Sequence, residues 1–305
     1  MGGAKHSVLC VGVNPAFDIT MKLTSLEYGE VSRVYAESRR AAGKAYNVCR
    51  ELDRLAAKDH FDLTADHCCI LGRDNLSEYL ADCRADGISC RYVEAAGKTR
   101  ENLTILVDNA ESELKINRSG FRCDADIVSA LRDVILSKPY EHIIFSGSMP
   151  EGMSAEQYVQ LMRAAKETGA RLTIDTTALS LEQLCELSPW LYKPNDTELC
   201  RLFGLDLLDV LIDDSPEAIL TDCAERLCGK GVENVLLTLG AKGLALIYQH
   251  NGAKLAERVA ASGEKLKDST GAGDRALAGF VYAHMRGCSP RECATAADAS
   301  GSLCG

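Results

Sequence analysis

Asp268-Ser269-Thr270-Gly271-Ala272-Gly273-Asp274 runs straight into the apolar stretch from Ala276 to Tyr282. Gly271 and Gly273 let the backbone turn tightly and come close to a ligand, and the free N–H groups of the first helical turn then point at negative charge. An acid inside such a cradle repels the charge it should hold unless it removes a proton. Asp274 therefore reads as a general base for a hydroxyl nucleophile, and equally as an Asp matched to the dipole at a helix start. Gly271, Gly273 and Ala276 also satisfy G-x-G-x-x-A, the dinucleotide fingerprint, which needs a preceding strand and a βαβ unit with an acidic residue on its second strand. Neither is supplied: Gly287-Cys288-Ser289-Pro290-Arg291-Glu292 opens another helix instead, with Ser289 as N-cap, Pro290 in the first turn and Glu292 closing a capping box. No G-x-x-x-x-G-K-[ST] occurs, so the P-loop route to phosphate is closed as well.

With 305 residues, 46% of them hydrophobic and 26% charged, the chain has enough material for one large core and a small appendage. The net charge of −10 argues against nucleic acid, and it requires that an anionic substrate be met by locally placed Lys or Arg. Fourteen cysteines include no C-x-x-C pair and often fall inside apolar runs such as Val8-Leu9-Cys10-Val11, so they read as small core residues of a protein in a reducing cytoplasm. No secretory leader and no membrane-length apolar run is expected.

Short apolar runs alternate with capped amphipathic segments, the pattern of an α/β protein with a mostly parallel central sheet and helices on both faces. Strands are expected at Val8–Val13, His67–Leu71, His142–Ser146, Arg171–Asp175 and Val235–Leu239. Helices are expected after the Ser154/Gln157 capping box, over Val48–Leu55, from Ser215-Pro216 to near Gly229 and over Ala276–Met285. Two stretches, Asp18–Arg40 and Arg91–Asn117, alternate polar and apolar residues and read as antiparallel strands of a small lid sheet within a single domain spanning 1–305.

Chemistry-bearing residues recur at the ends of these runs. Asp18, in Asn14-Pro15-Ala16-Phe17-Asp18, would grip two sugar hydroxyls or stabilise a turn. Gly43, Lys44 and Asn47 offer close backbone approach, a cation and a flexible donor and acceptor near a helix start. Arg100 and Asn102 share one face of a lid strand, where Arg100 suits a phosphate clamp. After Trp190-Leu191-Tyr192, Lys193-Pro194-Asn195-Asp196-Thr197-Glu198 either positions a hydrated Mg²⁺ through Asn195 and Glu198 or opens a helix with the same two residues as a capping box. Leu237 to Gly243 is a strand ending in a Gly turn, suited to lie beneath a nucleotide or to serve as a plain hairpin loop.

Taken together these motifs resemble, over almost the whole chain, the ribokinase-like (phosphofructokinase B) carbohydrate kinase family, and within it the 1-phosphofructokinase and tagatose-6-phosphate kinase branch. The residues that carry the resemblance include Asn14 to Asp18, Ala41 to Lys44 with Asn47, and Thr99-Arg100 with Asn102. Further along they are Ser119-Gly120-Phe121, Ser146 to Pro150, Lys193-Pro194-Asn195 with Glu198, Leu239-Gly240-Ala241 with Gly243, and Gly271 to Asp274. The resemblance implies transfer of a phosphoryl group from Mg·ATP to a sugar phosphate, with fructose 1-phosphate as acceptor and tagatose 6-phosphate as the alternative, and a homodimer formed through the lid. It implies that Asp18, Gly43, Lys44, Asn47, Arg100 and Asn102 bind the sugar phosphate. Lys193, Asn195, Thr238, Gly240, Gly243, Gly271 and Gly273 would contact ATP, and Asn195 and Glu198 would hold Mg²⁺ through the metal's water shell. Asp274 would be the base, and Gly271, Ala272 and Gly273 the anion hole.

The chain departs from the family pattern in three places. Arg275 stands where the family usually has a small residue, and a cation there would depress the pKa of Asp274 or pair with it, or else point away along the helix or touch a phosphate. Ala45 replaces a customary Gly. The sequence also stops at Gly305, where relatives typically continue and help wall the adenine, so nucleotide affinity would suffer. These departures motivate a rival of another class, a degenerate, non-catalytic sugar-phosphate sensor.

Overall fold

The near-continuous apolar run Val8-Leu9-Cys10-Val11 forms the strand around which the molecule is built. In the computed structural model, which describes residues 6–108, 113–212, 216–261 and 271–302, β1 (His6–Gly12) pairs in parallel with β4 (Leu63–Gly72) on one side and β8 (His142–Ser146) on the other. Beyond β4 lies β5 (Ser89–Ala95); beyond β8 come β9 (Arg171–Asp175), β10 (Leu191–Tyr192) and β11 (Asn234–Thr238), all parallel. The antiparallel strands β12 (Leu244–His250) and β13 (Ala253–Val259) finish a nine-stranded sheet.

Successive side chains on a strand face opposite ways, and here both faces are covered. Leu9 and Val11 enter one apolar core, Val8 and Cys10 the other. The first core lies beneath α3 (Ala125–Leu136), α4 (Ala155–Glu167), α5 (Leu181–Leu187), α6 (Asp196–Leu202), α7 (Leu207–Leu211) and α8 (Pro216–Cys228). The second lies beneath α1 (Lys44–Asp59), α2 (Leu76–Ala85), α9 (Ala272–Met285) and α10 (Pro290–Gly301). Helix α1 earns its place by spacing: Ala45, Val48, Cys49, Leu52 and Ala56 recur every three or four residues and are all buried. The capping boxes read from the sequence at Ser154 with Gln157 and at Ser289 with Glu292 are formed. Ser215, Asp268, Ser269 and Thr270 lie outside the described residues.

A second sheet of four strands, β2 (Ala16–Leu23), β3 (Val34–Ala42), β6 (Arg100–Val107) and β7 (Leu114–Asn117), stands on the body in the order β3-β2-β6-β7. Three expectations need correction. The alternating stretch from Arg91 divides, because Ser89–Ala95 is the edge strand of the large sheet and only the part from Arg100 belongs to the lid. The lid is not wholly antiparallel, since β2 runs parallel to β6. Helices α1 and α9 also begin earlier than the apolar residues alone indicate, at Lys44 and Ala272, which puts Lys44, Asn47 and Asp274 on first helical turns. Among the described residues no helix is long and apolar enough to cross a membrane.

Candidate active site

Parallel strands that alternate with helices deliver their following loops to one edge of the sheet, and ligands settle where the strand order reverses. Here the reversal lies at β1, whose neighbours β4 and β8 lead outward in opposite directions. Ser146 and Asp175 end β8 and β9, Lys193 follows β10 directly, and Thr238 ends β11. Between this edge and the lid is a cavity of about 820 Å³. Every site residue selected from the sequence lines it: Asp18, Arg100 and Asn102 from the lid; Gly43, Lys44 and Asn47 from α1 and its start; Lys193, Asn195, Glu198, Thr238, Gly240 and Gly243 from the strand ends; and Gly271, Ala272, Gly273 and Asp274 from α9.

Gly271 is the N-cap of α9 with φ 75°, a left-handed conformation that favours glycine, and among the described residues no side chain caps the turn beyond it. The first amides of the helix are thus left for a ligand. Gly273 serves differently from expectation: it is helical, and a β-carbon there would sit 3.4 Å from Lys193 Nζ, so its bareness lets the ammonium approach the helix start.

Asp274 is buried, and Asn47 Nδ2 donates to its Oδ2 at 2.9 Å. Burial, followed by repulsion from Asp175, pushes its pKa up to about 6; the Asn47 hydrogen bond, Lys193 and Lys44 oppose that rise. This corrects the expectation that Arg275 would depress it. A carboxylate titrating there is ionised at neutral pH yet a better proton acceptor than an ordinary aspartate.

Asp175, which sequence reading passed over, is the hub. It is fully buried at 0% exposure, and its Oδ1 lies 3.2 Å from Lys44 Nζ and 3.3 Å from Lys193 Nζ. Ser146 Oγ donates to Oδ2 at 2.9 Å. Burial alone would raise its pKa, but the two ammonium groups and the hydroxyl hold it below the usual carboxylate value. Lys44 also lies 3.5 Å from Glu198 Oε1, and its acidic neighbours hold its pKa above the ordinary lysine value against the opposing effect of burial. The signal in the sequence is an Asp closing the apolar run Leu172-Thr173-Ile174, where a parallel strand points its end at a cleft.

At the lid end, Asn102 Nδ2 donates to Asp18 Oδ1 at 2.9 Å, while Asn102 Oδ1 has no partner among the described residues and can accept from a bound hydroxyl. Arg100 Nε donates to the Asn14 carbonyl at 3.3 Å; burial lowers the pKa of its guanidinium, and Asp18 works against that. Gly43 has φ 125°, and a β-carbon on it would lie 3.3 Å from Pro15 Cα. The Ala45 methyl packs away from the cavity, against Gly12, where an added β-carbon would meet it at 2.9 Å.

At the opposite end, Asn195 and Glu198 form the capping box of α6: Glu198 N–H donates to Asn195 Oδ1 at 2.7 Å, and Asn195 N–H to Glu198 Oε2 at 3.0 Å. Thr238, Gly240 and Gly243 belong to the β11–β12 hairpin, so the loop reading and the cleft-lining reading hold together. Asp298, Gly301 and Ser302 of α10 and its C-cap complete this wall, and sequence reading did not single them out.

Phosphoryl transfer to a hydroxyl needs a base, an oxyanion pocket and cations around the migrating group, and this cleft brings the three together. Residues 6–304 match the model of the pfkB family carbohydrate kinases, and the chain belongs to that family. The molecule is thus a sugar kinase, a phosphotransferase that uses ATP. It is 28% identical over 286 residues to the 1-phosphofructokinase of Vibrio cholerae, covering 92% of this chain and 83% of that protein. It is 31% identical over 286 residues to the 1-phosphofructokinase of Haloferax volcanii, covering 92% and 85%. Its fold is similar to the crystal structure of phosphofructokinase-2 from Escherichia coli in complex with fructose-6-phosphate, with a TM-score of 0.82 at 22% identity over 98% of this chain and 95% of that one.

Proposed function

We propose that the protein is a 1-phosphofructokinase, converting fructose 1-phosphate and ATP to fructose 1,6-bisphosphate and ADP. The observation that carries the chemistry is Asp274, buried beside the open first turn of α9 with its carboxylate held by Asn47. The acceptor sugar lies under the lid, its hydroxyls on Asp18 and Asn102 and its phosphate on Arg100. Asp274 takes the proton of the free primary hydroxyl as that oxygen attacks the γ-phosphorus in line and the bond to the ADP oxygen breaks. The amides of Ala272 and Gly273 and the ammonium groups of Lys44 and Lys193 receive the charge on the transferred group. An oxyanion donor of this kind contributes about 3 kcal/mol.

Mg²⁺, when bound with ATP, would neutralise charge on the phosphates. Among the described residues there is no cluster of three His, Cys, Asp or Glu side chains suited to enclosing a metal, and Glu198 instead turns Oε1 toward the cleft near Lys44. That donor set fits a hydrated ion held through water by Asn195 and Glu198.

A coupled ADP-release assay with fructose 1-phosphate, tagatose 6-phosphate, fructose 6-phosphate and ribose tests the assignment. Fructose 1-phosphate should show the highest kcat/KM by about tenfold or more. A preference for tagatose 6-phosphate would replace the substrate, and sugar-phosphate binding by calorimetry without turnover of any acceptor would establish the sensor instead.

We place the protein in a reducing cytoplasm, in keeping with the free thiols of all thirteen cysteines among the described residues. We further propose that a second copy covers the lid. Val31 is 88% exposed, and Tyr28, Val34, Tyr35, Leu114 and Ile116 of the same sheet and its loops are also exposed. Val31→Asp combined with Tyr35→Asp should shift the protein from dimer to monomer in sedimentation velocity; a wild-type protein that sediments as a monomer at all concentrations would remove the proposal.

A further inference from the structure

The chain enters the lid for the second time between β5 and β6, through Ala96 to Thr99, and Arg100 is the first residue beyond that crossing. Thr99 is 1% exposed and Asn75, at the start of α2, is 4% exposed. The Asn75 side chain holds the Thr99 backbone through both of its polar groups: Thr99 N–H donates to Asn75 Oδ1 at 2.9 Å, and Asn75 Nδ2 donates to the Thr99 carbonyl at 3.0 Å. The Gly72 N–H donates to Thr99 Oγ1 at 2.9 Å, and the Asp74 N–H to the Gly97 carbonyl at 3.0 Å.

Two glycines close on the same segment. A β-carbon on Gly72 would lie 2.2 Å from Thr99 N and Lys98 C, and one on Gly120 would lie 2.8 Å from Arg100 N and 2.9 Å from Arg100 Cβ. Neither Gly72 nor Gly120 has a left-handed φ, so the requirement for glycine at both comes from this close approach. The joint has no group in the cavity other than Arg100. Burying a complete amide with both of its hydrogen bonds made is costly to assemble and rigid once assembled.

We propose that Asn75 is a positioning residue for the sugar-phosphate end of the cleft: it splints Thr99 against the body so that Arg100 emerges into the cavity at a fixed place and angle. This rests on the assignment of Arg100 to the substrate phosphate. A guanidinium binds a phosphate through two directed hydrogen bonds, so a shift of its backbone by a fraction of an ångström weakens binding of the acceptor and leaves the nucleotide end, on the far side of Asp274, unaffected.

Steady-state kinetics of Asn75→Ala, Arg100→Ala and the double variant decide the matter. Asn75→Ala should raise KM for fructose 1-phosphate on the order of tenfold, with KM for ATP within about twofold of wild type. In the Arg100→Ala background the Asn75 substitution should add almost nothing, since it acts through the group already removed. Gly120→Ala, which presses on Arg100 from the other side, should reproduce the effect and serves if Asn75→Ala does not fold. An unchanged KM in both Asn75→Ala and Gly120→Ala, or effects that multiply with Arg100→Ala, would overturn the inference while Arg100 kept its role. An unchanged KM in Arg100→Ala itself would overturn the substrate assignment and the inference with it.

Discussion

Asp274→Asn is expected to lower kcat by about 10²–10⁴-fold while sugar-phosphate and ATP affinities stay within a few-fold of wild type. The substituted amide keeps the size of the side chain and can still accept from Asn47; what it lacks is the basicity to take a proton. The fold should gain stability from the same change. Folding raises the carboxyl from its ordinary 3.8 to about 6, so the native state binds the proton more tightly than the unfolded chain. Wild-type stability therefore falls as pH rises from about 4 to about 6, by about 3 kcal/mol, and stays at the lower level above that window. Asp274→Asn should lack this fall, visible as a higher Tm at neutral pH and a flatter Tm profile between these limits. Activity runs the other way: kcat/KM of the wild type should drop as pH falls through about 6, where Asp274 protonates. The substrate phosphate titrates nearby, so Asn47→Ala makes the assignment. It removes a hydrogen bond that holds the Asp274 value down, and it should move the acid limb upward without touching the substrate's own titration. A variant at position 274 that retained about a tenth of wild-type turnover would end the case for this carboxylate as the base.

Asp175→Asn should be nearly as damaging, for a different reason. The carboxylate is the anion shared by Lys44 and Lys193, and Lys193 is itself buried. Neutralising it leaves the buried Lys193 ammonium without the carboxylate 3.3 Å away that balances it, which costs about 3–5 kcal/mol. The amide can still accept from Ser146, so packing is preserved and the loss is electrostatic. Removing the negative charge beside Asp274 also withdraws one of the causes of its raised pKa, and the acid limb of the activity profile should shift to lower pH. Denaturant unfolding and a pH–rate profile on one preparation check both effects. A stable variant with an unmoved limb would show that Asp175 does not govern the charge balance of the cleft.

Features whose chemistry is local were readable from the sequence. The capping boxes at Ser154 and Ser289 are written in residues three apart, and the apolar runs of β1, β8 and β9 announce strands buried on both faces. The cleft residues emerged because Gly, Asp and Lys at the ends of such runs have few other uses. Strand direction did not: alternation in Asp18–Arg40 and Arg100–Asn117 says which side chains share a face but nothing of whether neighbours run together, and β2 and β6 do. Nor could periodicity separate Arg91–Ala95 from the lid, because an edge strand of the body and a lid strand carry the same half-exposed pattern. Asp175 and Asn75 were missed because each matters through what folding brings beside it, two lysines in one case and the Thr99 peptide in the other.

The place of β1 in the large sheet bears on how the chain comes off the ribosome. Its register sets Val8 against Ala65 on one side and against His142 on the other. The first neighbour is synthesised soon after, but the second appears only once all four strands of the lid have been extruded between them. Until then a flank of Val8, Leu9, Cys10 and Val11 has no hydrogen-bonding neighbour, and pairing over such a separation is slow. Nascent chains truncated before residue 142 should therefore recruit holdase chaperones, and release of those chaperones should coincide with the emergence of β8.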